Sequence, residues 1–176
     1  MFHHKSWVRR KILKWLFGSP AVLVKYDYDP NDDRLAEHLG VSPELKYAKP
    51  GDAGLDLYYY GTTPIILKPG ESTNVPSGLS VKIPEGYVGL LRCRSSTFTK
   101  RGLFVVHNTI DSGYTGAMWT TVWYPGLNGS QDHAIIQPWE RLSQILVVPY
   151  LEAGIIEVSK MPTTERGNSG FGSSGR

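Results

Sequence analysis

Five short segments hold side chains whose chemistry is poorly spent on filling a core. In Ala53-Gly54-Leu55-Asp56-Leu57 a carboxylate interrupts an otherwise apolar run; alone, it reads equally as a turn aspartate bonded to nearby backbone. Arg94-Ser95-Ser96-Thr97 places a guanidinium beside three hydroxyls. Arginine grips phosphate oxygens in bidentate fashion, and hydroxyls with adjacent backbone N–H groups cradle an anion; the plainer reading is a polar loop with an N-capping serine. In Asn108-Thr109-Ile110-Asp111-Ser112-Gly113-Tyr114-Thr115-Gly116 an acid and an aromatic ring lie three apart in a glycine-rich turn. The carboxylate there can orient a water, and the ring can pack on a sugar or base, unless the segment is only a hairpin turn. Glu140-Arg141-Leu142-Ser143-Gln144-Ile145 leads into a strand, with Gln144 able to meet a phosphate or simply solvent. In the last segment Arg166 offers a cation and Phe171 a stacking face, while Gly172, Ser173, Ser174 and Gly175 leave open backbone for close approach to phosphate.

The elements that must position these residues are mostly strands. Runs at Val22 to Tyr28, Leu55 to Tyr60, Ser72 to Val75, Leu79 to Ile83, Val88 to Arg92, Leu103 to Val106, Ala117 to Tyr124, Ile135 to Ile136 and Ser143 to Pro149 are separated by Gly/Pro turns such as Lys68-Pro69-Gly70-Glu71 and Pro84-Glu85-Gly86. With no long amphipathic pattern after Gly40, this predicts an all-β fold, a distorted β-barrel or jelly roll. The 176 residues suffice for one domain with its own core, and 19 Gly with 12 Pro suit many short strands. Cys93 is the single cysteine, which excludes an intrachain disulfide and suits a reducing, cytoplasmic setting. The division expected is a basic extension at 1–20, a β domain at 21–165 and a mobile Gly/Ser-rich arm at 166–176.

The net charge of +3 conceals an asymmetry: Lys5, Arg9, Arg10, Lys11 and Lys14 stand in the first 20 residues without an acid, leaving −2 for the rest. A generally basic nucleic-acid-binding body is therefore not expected. Val8, Ile12, Trp15 and Leu16 share one helical face there. This amphipathic pattern suits an anionic membrane, nucleic acid, a protein partner, or simple packing on its own domain. A second short helix is expected between Asn31 or Asp32 and Gly40, as an insertion.

In order and spacing, the five segments resemble the five motifs of the trimeric dUTPase family, over roughly Lys49 to Arg176. The resemblance implies Mg²⁺-dependent hydrolysis of dUTP to dUMP and pyrophosphate, in sites assembled between subunits of a homotrimer. It implies that Asp111 activates the attacking water, that Tyr114 lies beneath the deoxyribose and that Asp56 supports the site and the metal's water shell. No protein side chain would ligate the metal directly. Arg94, Ser95, Ser96 and Gln144 would face the phosphates and Asn108 the uracil edge. Arg166 would meet the terminal phosphate, Phe171 would stack on uracil, and Gly172, Ser173 and Ser174 would form a phosphate turn.

Some positions depart from the family pattern. Trp139 stands where the fourth motif usually has glycine, which predicts a differently built turn. Cys93 precedes Arg94 and reads as a buried small residue. The segment from Gly102 to Asp111 is shorter than usual. A dCTP deaminase-like or bifunctional enzyme shares several of these motifs, but its proton-moving glutamate is lacking from Ala117-Met118-Trp119-Thr120-Thr121-Val122-Trp123-Tyr124. A regulatory protein that keeps this fold to bind a protein partner is the other alternative, and retention of Asp111 speaks against a purely non-catalytic form of it.

Overall fold

Alternating burial builds most of this molecule. In the strand Ala117–Trp123, Met118, Thr120 and Val122 point inward while Ala117, Trp119 and Trp123 face out, the period of two that a strand with one covered face requires. The computed structural model describes residues 21–32, 37, 43–126 and 132–167. In chain order these form β1 (Leu23–Tyr26), β2 (Gly54–Tyr58), β3 (Ile65–Leu67), β4 (Ser72–Lys82), β5 (Tyr87–Cys93), α1 (Ser95–Arg101), β6 (Phe104–Val105), β7 (Thr109–Ile110), β8 (Ala117–Trp123), β9 (Ala134–Ile136) and β10 (Arg141–Pro149).

Two four-stranded antiparallel sheets, ordered β1-β4-β8-β6 and β2-β10-β5-β7, are joined by a β3-β9 ribbon. Val75, Leu79, Val81 and Val122 from the first sheet and Leu57, Leu91 and Ile145 from the second belong to one buried cluster. Between the sheets, the hydroxyls of Thr120 and Ser143 satisfy one another at 2.6 Å, so these two buried polar groups escape the cost of an unmade bond. The all-β jelly-roll expectation holds; among the described residues the sheets pack without closing into one barrel.

Several expectations are corrected. The runs at Ser72 to Val75 and Leu79 to Ile83 belong to one 11-residue strand whose register with β8 shifts between Pro76 and Ser80. Within that irregular stretch Gly78 has φ +62 and a Cβ there would lie 2.4 Å from the Tyr60 ring, so only glycine fits. Strands β3 and β7 were not expected. Arg94-Ser95-Ser96-Thr97 is not a polar loop: Ser95 begins α1, and Arg94 at its N-cap makes no side-chain capping bond. The predicted helix at 1–20, most of the 31–40 insertion and residues 168–176 lie outside the described residues.

Candidate active site

The centre of the site is a carboxylate held by two guanidiniums. Asp56, on β2, receives Arg94 Nε at 2.8 Å on Oδ1 and Arg141 Nη1 at 3.3 Å on Oδ2. Its side chain is only 17% exposed, so its pair with the largely covered Arg94 is shielded from the screening that makes surface ion pairs weak, while Arg141, 38% exposed, remains more open to solvent. Both carboxylate oxygens are thereby committed, and each arginine keeps further N–H groups for an incoming anion.

Arg141 and Gln144 are three residues apart and in a regular strand would face opposite sides. They share a side because the β10 register against β2 shifts between Arg141 and Ser143. This bulge leaves Leu142 and Ser143 both buried and brings Arg141 and Gln144 to one cleft. The carbonyl of Leu142, spared from regular pairing, accepts the Thr97 hydroxyl at 2.8 Å and the Arg94 N–H at 3.4 Å. One bulge therefore anchors α1, and with it Arg94, Ser95 and Ser96, beside Asp56. At the far end of α1, Gly102 is left-handed (φ 63) and its N–H bonds to the Phe98 carbonyl, a glycine termination that stops the helix after two turns.

Gly54 allows this cleft to form. A Cβ there would fall 1.9 Å from Gln144 Oε1, so the glutamine side chain lies directly over the glycine, in register opposite Asp56. The resulting cleft, about 480 Å³, is bordered by Asp56, Arg94, Ser95, Ser96, Arg141 and Gln144. Sequence reasoning placed all of these except Arg141. Its signal was available: a cation beginning a strand three residues before a polar amide.

Asp111 and Tyr114 are elsewhere. They are exposed on the turn after β7, where the Tyr114 N–H bonds to the Asp111 carbonyl at 3.0 Å and its hydroxyl donates to the Ala117 carbonyl at 2.7 Å. Neither borders the cleft. Asn108 is exposed, and its carbonyl accepts the Leu91 N–H at 2.9 Å. Arg166 is described and exposed at the chain's far end; Phe171, Gly172, Ser173 and Ser174 lie outside the described residues. Cys93 is half-buried rather than buried, with Sγ 3.3 Å from the Arg94 carbonyl.

Trp139 overturns the expectation of a differently built turn. Gln137-Pro138-Trp139-Glu140 closes with the Glu140 N–H on the Gln137 carbonyl at 3.1 Å, and Trp139 has φ 63. Proline followed by a left-handed residue is the type II pattern. Tryptophan thus adopts the glycine conformation, and it is the sole non-glycine with positive φ among the described residues. Its N–H meets the Tyr59 carbonyl at 2.7 Å, and its ring stands edge-on to Tyr28 and Tyr60 at 5.1 and 5.6 Å. Burial raises the Tyr28 phenol well above its ordinary value, its neighbouring tyrosines adding to the effect, and that hydroxyl donates to the Pro43 carbonyl at 3.0 Å. Tyr58, behind the arginine pair, is also raised by burial, with Arg141 opposing.

No group of three or more His, Cys, Asp or Glu side chains converges among the described residues. With Asp56 already engaged by two guanidiniums, this donor set fits a magnesium ion carried on a phosphate chain and contacted through water, not a cage of protein ligands.

A β sandwich with a cation-lined cleft of this kind defines a protein that handles phosphate-bearing ligands. Comparison with known proteins narrows the class. The dUTPase family model matches residues 42–175. The deoxyuridine 5′-triphosphate nucleotidohydrolase of Aromatoleum aromaticum is 38% identical over 148 residues, covering 82% of this chain and 93% of that protein; that of Leifsonia xyli is 39% identical over 131 residues, covering 73% and 83%. Among solved structures, a mutant dUTPase of Staphylococcus bacteriophage 80alpha with dUpNHpp superposes with a TM-score of 0.73 at 24% identity, covering 89% of this chain and 99% of that one. The chain belongs to the dUTPase family.

Proposed function

We propose that the chain hydrolyses dUTP to dUMP and pyrophosphate in sites completed by neighbouring copies of itself. The observation that carries this reading is the gathering of Asp56, Arg94, Ser95, Ser96 and Gln144 around one cleft while Asp111 and Tyr114 stand outside it, exposed. A phosphate-binding half without its water-activating half needs a second chain to supply the latter. A homotrimer, as the family resemblance implies, does so.

In such a site Arg94, Ser95, Ser96 and Gln144 hold phosphate oxygens, and Asp56 fixes the guanidinium of Arg94. Asp111 takes a proton from water as the water oxygen attacks the α-phosphorus. The α-phosphorus–oxygen bond to the β-phosphoryl group breaks, and its electron pair leaves on pyrophosphate. Tyr114 packs under the deoxyribose and Asn108 reads the base edge. From the arm, Arg166 adds a cation, Phe171 covers uracil, and Gly172, Ser173 and Ser174 close on the phosphates, excluding water. A magnesium ion carried on the triphosphate would supply neutralisation of charge on the leaving group, and Asp56 would be the carboxylate facing its water shell.

Incubation with dUTP, dCTP and dTTP plus Mg²⁺ tests the reaction and the base selectivity together. Pyrophosphate release from dUTP is the expected result. Ammonia from dCTP would instead establish the deaminase alternative, and no turnover of any of the three would leave the fold to a binding role.

A further inference from the structure

Beside the cleft lies a second recess of about 440 Å³, and the two share Arg94, Ser96 and Arg141 as a common wall. Their charges differ. The cleft sets Lys49, Arg94 and Arg141 against Asp52 and Asp56. The recess sets Arg94, Lys100, Arg101 and Arg141 against Glu140 alone, and that carboxylate is already held by Arg101. Lys100, exposed in the last turn of α1, has no ion-pair partner among the described residues. Arg101 is fixed differently, its guanidinium engaging both Glu140 and the Ile135 carbonyl. Even with Asp56 holding Arg94 and Arg141 and with Glu140 held by Arg101, the lining charge is therefore more positive in the recess than in the cleft, and its lysine has no ion-pair partner among the described residues.

The far side is walled by Trp139. Its ring is fixed against Tyr28 and Tyr60, and its N–H and the following carbonyl are bonded to Tyr59 at 2.7 and 2.8 Å. Such a wall gives shape without competing for the cations, and the Ser96 hydroxyl adds a neutral donor at the boundary.

We propose that this recess is a leaving-group site that receives inorganic pyrophosphate from the cleft, with Lys100 as its principal cation. The inference rests on the dUTP-hydrolysis reading. Once the bond to the α-phosphorus is broken, pyrophosphate loses the anchorage of base and sugar and retains only its charge. A polyanion so released moves toward the larger cation excess, and Arg94 and Arg141 border both compartments, so it need never lose all its partners during transfer. Nothing in the recess selects a nucleoside: the Trp139 ring is committed to Tyr28 and Tyr60, Tyr58 is buried, the Glu140 carboxylate is held by Arg101, and the remaining lining is cationic or hydroxylic.

The test compares the whole protein with Lys100→Ala and Lys100→Arg by calorimetric titration of magnesium pyrophosphate, alongside KM for dUTP. Because Lys100 is exposed, both variants should fold. For Lys100→Ala, pyrophosphate affinity should fall about fivefold to tenfold, as expected for a partly screened charge-assisted contact. Lys100→Arg should restore most of it, and KM for dUTP should change less than twofold. Unchanged pyrophosphate affinity in Lys100→Ala would overturn the proposal, and so would KM rising in parallel, since that would put Lys100 on the substrate's own phosphates. Failure of the wild type to bind pyrophosphate at millimolar concentration would overturn it as well. Lys100-dependent pyrophosphate binding in a protein that leaves dUTP intact would uphold the site and refute the hydrolytic reading instead.

Discussion

At the residue scale, Trp139 shows how a side chain can hold a backbone conformation that its own Cβ opposes. A left-handed φ costs a bulky residue about 1–3 kcal/mol, and each edge-to-face ring contact returns about 0.5–1.5 kcal/mol beyond area burial. Contacts with Tyr28 and Tyr60 thus offset the strain, which is why a glycine position tolerates tryptophan here. The sequence showed the substitution but not the compensation, because Tyr28, Tyr60 and Trp139 are far apart along the chain. The two effects separate in variants. Trp139→Ala loses the ring and keeps the strain, while Trp139→Gly loses the ring and relieves the strain, at about 0.5–1 kcal/mol of added chain entropy. Thermal denaturation should rank wild type above Trp139→Gly, and Trp139→Gly above Trp139→Ala by about 1 kcal/mol, or about 2–4 °C in Tm for a chain of this size. An alanine variant as stable as the glycine variant would show that φ 63 carries no strain.

At the element scale, the strand backbone of the fold was legible because alternation and Gly/Pro punctuation report the pleat directly. The devices that aim the side chains were not. Ser-Ser-Thr-Phe-Thr contains no strong helix former, yet α1 forms because Thr97 is tied to Leu142 and Gly102 terminates it. The bulge that frees the Leu142 carbonyl leaves no compositional trace, since one extra residue in a strand looks like any other. Gly54 carries no chemistry that marks it in the sequence, yet at the start of β2 it serves as the floor under Gln144. Gly54→Ala tests this: the predicted clash is with Oε1 at 1.9 Å and Cδ at 2.7 Å, the far end of a side chain that can swing away. Folding should survive, with Tm within a few degrees of wild type, while kcat/KM for dUTP falls at least tenfold, about 1.4 kcal/mol in transition-state binding. Gln144→Ala should show a similar loss, and combining the two substitutions should add little. Full additivity would mean that Gly54 acts through something other than Gln144.

At the scale of the whole molecule, the single chain leaves apolar surface that water does not favour. Beyond Tyr150, Leu151, Ile155 and Ile156 are 89%, 98% and 84% exposed, in a stretch that joins no strand ladder among the described residues. Trp119 and Trp123 add an exposed aromatic face on β8, continued by Phe104, whose ring lies 6.3 Å from that of Trp123. Under the proposed function this apolar surface is what a second copy of the chain would cover, and that copy would also bring Asp111 to the cleft. The family resemblance implied an assembly, but which residues would be uncovered was not legible, because sequence patterns report which residues are apolar but not which are left uncovered by their own fold. The consequence can be measured by mixing. Asp111→Asn and Gln144→Ala chains should each form assemblies with little dUTP turnover, one lacking the base and the other a phosphate contact. If Asp111 of one copy serves the cleft of another, co-refolded mixtures contain some sites drawing Asp111 from the Gln144→Ala chain and Gln144 from the Asp111→Asn chain. Those sites are intact. Random mixing of equal amounts should make about one site in four of this kind, since each site draws independently on two chains of two types when the subunits combine at random. Activity should therefore return to about a quarter of wild type, with native mass measurement confirming mixed assemblies. Mixed assemblies with no recovered turnover would place Asp111 and Gln144 in the same chain's site.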